Sequence, residues 1–130
     1  MKLAEIPGSR LRLQRLTGPP FKTAEEVVDW LVAVQSQDFG GAKWGVAQRT
    51  SGATQADLDR LFDEGKILRT HVLRPTWHFV RPADLRWLQR LTGPRVKAMS
   101  AYYFRKLELT DAVIKRSQTL ITRALRDGRY

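Results

Sequence analysis

Two runs rich in β-branched and aromatic residues, 67–73 and 76–80, meet at Arg74-Pro75 in a chain whose other apolar residues recur mostly at helical spacing. Runs of that length and type on either side of a turn residue read as a β-hairpin. An isolated hairpin is marginal in water, so this one must lie against the helices around it. Several short helices, a basic hairpin and then more helices is the order of winged helix-turn-helix architecture. The expected fold class is therefore mainly α, a winged helix-turn-helix with additional C-terminal helices. A helical bundle with an incidental β-turn is the alternative.

The helix signals are local and explicit. Ser9 is expected to cap a helix reaching Leu16, stopped by Thr17-Gly18-Pro19-Pro20. Thr23 and Glu26 form a capping box, after which Val27, Val28, Leu31 and Val34 follow a helical period. That helix is expected to run to 35–39, ahead of Gly40-Gly41. A short helix over 42–49 carries Lys43 and Trp44, and Thr54 caps another with Leu58, Leu61 and Phe62 as its stripe and Gly65 beyond its end. Pro82 suits a first helical position, and Gly93-Pro94 should end the segment it opens. Helices over 96–106 and from Thr110 onward, closed by Gly128, complete the chain. The heptapeptide Leu13-Gln14-Arg15-Leu16-Thr17-Gly18-Pro19 returns unchanged as Leu88-Gln89-Arg90-Leu91-Thr92-Gly93-Pro94. Its surroundings do not repeat, so it reads as one stop signal used twice rather than as a duplicated unit. Residues 1–95 are expected to form the winged-helix domain and 96–130 a helical extension. The end at Arg129-Tyr130, straight after a helix, suggests the front part of a longer protein.

Composition excludes several classes. The 130 residues, 42% hydrophobic, suffice for a real core without metals or disulfides. With no cysteine, disulfide staples, zinc fingers and thiol catalysis are ruled out, which fits a cytoplasmic location. Met1-Lys2-Leu3-Ala4-Glu5 opens no signal peptide, and no stretch approaches the ~18 apolar residues of a membrane span. The net charge of +10 is unevenly placed: residues 1–65 hold 8 Lys/Arg and 9 Asp/Glu, and residues 66–130 hold 15 and 4. Such asymmetry suggests a polyanionic partner, nucleic acid above all, although arginine-rich composition and solvated helix faces also raise the count.

Three constellations could carry chemistry. Gln35-Ser36-Gln37-Asp38 follows an apolar helix, and two neutral amides two residues apart could hold one water between them if the helix frays there; helix capping and plain surface polarity are the competing reading. The hairpin segment brings Arg69, Arg74, His78 and Arg81 beside Trp77 and Phe79. There the two aromatics suit the core, and the arginines and His78 suit phosphates or a groove. Lys43, and Lys115 with Arg116 on the last helix, extend the basic set. A metal held by His71 and His78 lacks a third ligand in suitable spacing, and neither a phosphate-cradling glycine loop nor a nucleophile elbow is present. No cofactor is expected.

The runs Val27-Val28-Asp29-Trp30-Leu31-Val32-Ala33-Val34-Gln35-Ser36-Gln37-Asp38, Ala42-Lys43-Trp44-Gly45 and Leu73-Arg74-Pro75-Thr76-Trp77-His78-Phe79-Val80 resemble the bacterial winged-helix DNA glycosylases of the AlkZ/YcaQ type. The resemblance implies tandem winged helices and excision of alkylated purines, including the unhooking of interstrand crosslinks. That family marks its centre with Gln-x-Gln or Gln-x-Asp, and Gln35-Ser36-Gln37 matches the first form. By resemblance Gln35 holds the attacking water, Gln37 supports it, and Asp38 is a lesser candidate for base or electrostatic stabiliser. Proline stands at 75 where the related turn implies glycine. The resemblance spans this chain but about a third of a family member. It implies a monofunctional, monomeric glycosylase when complete and an inactive piece alone. A non-enzymatic winged-helix regulator is the competing reading, and a helical protein-interaction module the third.

Overall fold

The computed structural model describes residues 5–74, 76–126 and 128; Pro75, expected in the hairpin turn, and the terminal Arg129-Tyr130 lie outside them. Two compact units divide the chain, Met1–Gly93 and Pro94–Tyr130.

In the first unit, α1 (Ile6–Leu13) leads to α2 (Ala24–Leu31), β1 (Ala33–Gln35), α3 (Phe39–Ala47), α4 (Gln55–Asp63), β2 (Leu68–Val72), β3 (Thr76–Val80) and the start of α5 (Pro82–Lys106). The fold is mainly α and winged-helix-like: α2, α3 and α4 followed by the β2–β3 hairpin. Thr23 and Thr54 open α2 and α4 with complete capping boxes, each hydroxyl accepting from the backbone N–H three residues on. Gly65 follows α4 at φ +66, the left-handed conformation that a glycine adopts without steric cost.

The structure departs from three local expectations. Ser9 lies inside α1, which starts at Ile6, and its hydroxyl accepts from Arg12 instead of capping. The capped helix α2 ends at Leu31, not at 35–39, because Val32 turns to φ 64 and sends the chain into β1. A β-branched residue in that region is strained, at a cost of order 1–3 kcal/mol, so the surrounding packing must hold it there. Finally, α5 does not stop at Gly93-Pro94 but runs on to Lys106 with Pro94 inside it.

β1 is the strand that helical periodicity conceals. It pairs with β3, giving the antiparallel order β1-β3-β2, with Gln35 opposite His78 and Arg69 opposite Phe79. Both faces of this sheet are covered. Phe79 and Val34 join Val27, Val28, Val46 and Leu58 in the main core, where the Phe79 ring meets Phe39 and Phe62 at centroid distances of 5.6 and 4.9 Å. Val72 and Val80 pack on the other side with Leu88 of α5. Phe79 thus lies in the core as its alternation implied, while Trp77 is only half-buried.

In the second unit, Thr110 caps α6 (Asp111–Ala124) by accepting from the Val113 N–H. No residue of α6 is buried, and its apolar Leu120, Ile121 and neighbouring Leu125 are exposed. Among the described residues no helix is long and apolar enough to cross a membrane.

Candidate active site

Strand geometry, not a frayed helix, organises Gln35-Ser36-Gln37. Along extended backbone, side chains alternate between two faces, so residues i and i+2 share one. Gln35 and Gln37 are exposed and Ser36 between them is fully buried, the alternation a strand imposes. Beyond the end of β1 the Ser36 N–H still donates to the Trp77 carbonyl at 2.8 Å, and the Gln37 Oε1 accepts from the Trp77 N–H at 3.4 Å. With its oxygen engaged on the backbone, the Gln37 amide keeps its NH2 group for another partner. The buried Ser36 hydroxyl has no hydrogen-bond partner among the described residues.

Asp38 is the N-cap of α3. One carboxylate oxygen accepts from the Gly41 N–H at 3.1 Å, and a Cβ at Gly41 would come within 2.5 Å of the other, so glycine at 41 keeps the capping carboxylate in place. A helix N-terminus favours that negative charge. Gln35, Gln37 and Asp38 line one cavity of about 590 Å³, whose wall also includes Gln14, Gly45 and Arg49. Arg49 donates through Nε to the Gln14 carbonyl at 2.7 Å and through Nη1 to the Gly45 carbonyl. Burial pulls its guanidinium below the ordinary value, while leaving it charged at any ordinary pH.

Such a site can position a water between neutral amides and place one carboxylate beside it. Among the described residues no cluster of three or more His, Asp or Glu could hold a metal ion. The two histidines lie on opposite sheet faces, since His71 pairs with Trp77 and Thr70 with His78.

A family model described as DNA glycosylase AlkZ-like matches residues 28–130, from α2 to the end of the chain. The chain belongs to the AlkZ-like DNA glycosylase family. Its fold is similar to that of Streptomyces sahachiroi DNA glycosylase AlkZ, with a TM-score of 0.59 and 24% identity over 71% of this chain. The chain spans 27% of that protein's length. No curated protein matches it.

For this AlkZ-like chain, most of the basic residues picked from the hairpin region turn out to be engaged within the first unit. Arg69 points its guanidinium at the loop after β1, donating to the Ser36 carbonyl from Nε and Nη2 (3.2 and 2.9 Å) and to the Gln37 carbonyl at 3.4 Å. It also stacks over Trp77 at 4.6 Å. Arg69 therefore clamps the segment that carries Gln37. Lys43 is buried, paired with Asp59 at 2.7 Å and set over the Phe39 ring at 4.6 Å. Arg81 pairs with Glu25 at 2.6 Å, both half-buried. His78 is 4% exposed with Nδ1 2.9 Å from the Thr76 carbonyl, and burial holds its imidazole below the ordinary value of 6.5. At neutral pH it is an uncharged interior group. Arg74, Lys115 and Arg116 are exposed.

Two cavity residues escaped the sequence reading: Gln14, within what read only as a stop signal, and Arg49, at the end of a short helix. The available signal was the four-residue spacing of Gly41, Gly45 and Arg49, which aligns the two glycines on one face of α3 with the arginine just past its end.

Proposed function

We propose that this chain carries the catalytic cleft of a DNA glycosylase that hydrolyses the N-glycosidic bond of alkylated purines, crosslinked ones included, in double-stranded DNA. The observation that supports this reading is the pairing of Gln35 and Gln37 on one side of extended backbone, at the wall of a cavity that also takes in Asp38.

The chemistry suits neutral residues. An N7-alkylated purine is already cationic, so the bond from the anomeric carbon to N9 breaks with its electrons going to the base and no strong acid is needed. Gln35 holds the water that attacks the anomeric carbon, and Gln37, oriented through its bond to the Trp77 N–H, supports it. The water forms the new carbon–oxygen bond and its proton leaves to solvent or to the free oxygen of Asp38. That carboxylate also stabilises the positive charge that builds on the sugar ring. Residues 1–95 act as the DNA-binding winged-helix unit and 96–130 as a helical extension, working as a monomer without cofactor. Exposed Arg74, Lys115 and Arg116 contact phosphates.

The helix α4 argues against a sequence-reading regulator. It follows α3 in the place where a helix-turn-helix unit presents its recognition helix, yet it carries Asp57, Asp59 and Asp63 against the single Arg60, which is itself paired with Asp57. An acidic helix is repelled by the phosphates that flank a major groove.

The test is base release from duplex DNA containing N7-alkylguanine, using the full-length protein. Gln35→Ala should slow release by roughly 10²–10³-fold, the usual effect of removing one preorganised polar group, while duplex binding stays within about twofold. Absence of release by the wild type on several alkylated substrates would sink the proposal.

A further inference from the structure

Among the described residues, Arg49 is the one cationic side chain in the wall of the cleft. It lies just past the end of α3, four residues after Gly45, where an added Cβ would have the Arg49 Nη1 as its nearest neighbour, at 4.0 Å. Its guanidinium is held at two of its three nitrogens, Nε and Nη1, by the carbonyls of Gln14 and Gly45. Nη2 makes no hydrogen bond among the described residues, and no carboxylate there forms an ion pair with Arg49. Asp38, in the same wall, is committed to the cap of α3. A fixed, half-buried cation with no ion-pair partner among the described residues is costly to fold, and an anion bound in the cleft would offset that cost.

We propose that Arg49 is a phosphodiester-binding residue of this cleft, its free Nη2 donating to the backbone phosphate next to the nucleotide being processed. The choice of anion rests on the glycosylase reading. Of the parts of an extruded N7-alkylpurine nucleotide, the base is cationic and the sugar neutral, so only a flanking phosphate attracts a guanidinium. The same charge keeps the cationic base away from the Arg49 side of the cleft. An arginine held at Nε and Nη1 has little rotamer freedom left to lose on binding, which makes it a register pin for the sugar–phosphate backbone rather than a general steering charge.

The experiment is a coupling cycle with the full-length protein and duplexes bearing one N7-alkylguanine. A neutral methylphosphonate linkage replaces each phosphate near the lesion in turn, and wild type, Arg49→Gln and Arg49→Lys are compared for affinity and single-turnover base release. One flanking linkage should cost the wild type about tenfold in affinity and cost Arg49→Gln nothing further. Arg49→Gln should also lower the slope of log affinity against log salt by about 0.9, with Arg49→Lys restoring most of it. Losses from the linkage and from Arg49→Gln that simply multiply would overturn the assignment and leave Arg49 as a tie between α1 and α3. If Arg49→Gln does not fold, the wild-type scan still decides: no flanking linkage more costly than distant ones overturns it as well. Coupling without base release would remove the glycosylase reading and leave the phosphate site standing. Release without coupling would do the reverse.

Discussion

The same seven residues, Leu-Gln-Arg-Leu-Thr-Gly-Pro, end one helix at 13–19 and pass through the middle of another at 88–94. In the first copy Leu13 is the last residue of α1 and 67% exposed, Arg15 turns to φ 54 and Gly18 to φ 99. The Arg15 guanidinium lies over the Phe21 ring at 4.4 Å, and Phe21 pairs with the chain after α3, accepting from Ser51 and donating to Arg49. In the second copy Leu88 is 2% exposed between Val72 and Val80, and the Thr92 hydroxyl donates to the Leu88 carbonyl at 2.8 Å while accepting from the Leu73 N–H. The next residue differs as well. Pro20 disfavours helical backbone at Pro19, whereas Arg95 places no such restriction on Pro94. A stop signal is therefore a preference of a few kcal/mol, and burial of one leucine together with a bridging threonine can outweigh it. The outcome bears on function, because the stopped copy brings the Gln14 carbonyl to Arg49 at the cleft.

Identical substitutions in the two copies put that contrast at risk, each read as a shift in denaturation midpoint. Leu88→Ala should destabilise the protein by about 2–5 kcal/mol and Leu13→Ala by less than about 0.5 kcal/mol. Equal losses would show that the heptapeptide behaves alike in both places. Pro94→Ala should stabilise by roughly 1–3 kcal/mol, since it restores a helix N–H and removes a clash with the preceding turn. Pro19→Ala should instead destabilise by about 0.4–1 kcal/mol by loosening the unfolded chain. The glycines should also diverge in sign. Gly93→Ala gains about 1 kcal/mol of helix propensity, while Gly18→Ala loses roughly that much at its positive φ. Two substitutions of the same sign at either the prolines or the glycines would mean that the second copy also interrupts its helix in solution.

Much of the fold is legible where the decisive interaction is local. Thr23, Thr54 and Thr110 cap helices with bonds to residues three positions away, and the hairpin on either side of Arg74 follows from β-branched runs and a turn. β1 was not legible, since Val34 fits a helical period after Val27, Val28 and Leu31 as well as it fits a strand. The strained turn at Val32 exists only because β3 offers a ladder to Ala33, Val34 and Gln35. The glutamine pair was visible as a motif, but its shared face was not, because that face depends on the strand.

By itself the sequence determined the mainly helical class, the helix starts capped by Thr23, Thr54 and Thr110, the hairpin and the family resemblance. Only the tertiary structure decided which arginines are free. Arg69 and Arg81 found a carbonyl cluster and a carboxylate brought close by folding, and Arg49 was carried into the cleft with no ion-pair partner among the described residues. The physical reason is range. Caps and turns are settled by atoms a few residues away, whereas the partner of a long charged side chain is whatever the folded chain sets within its reach.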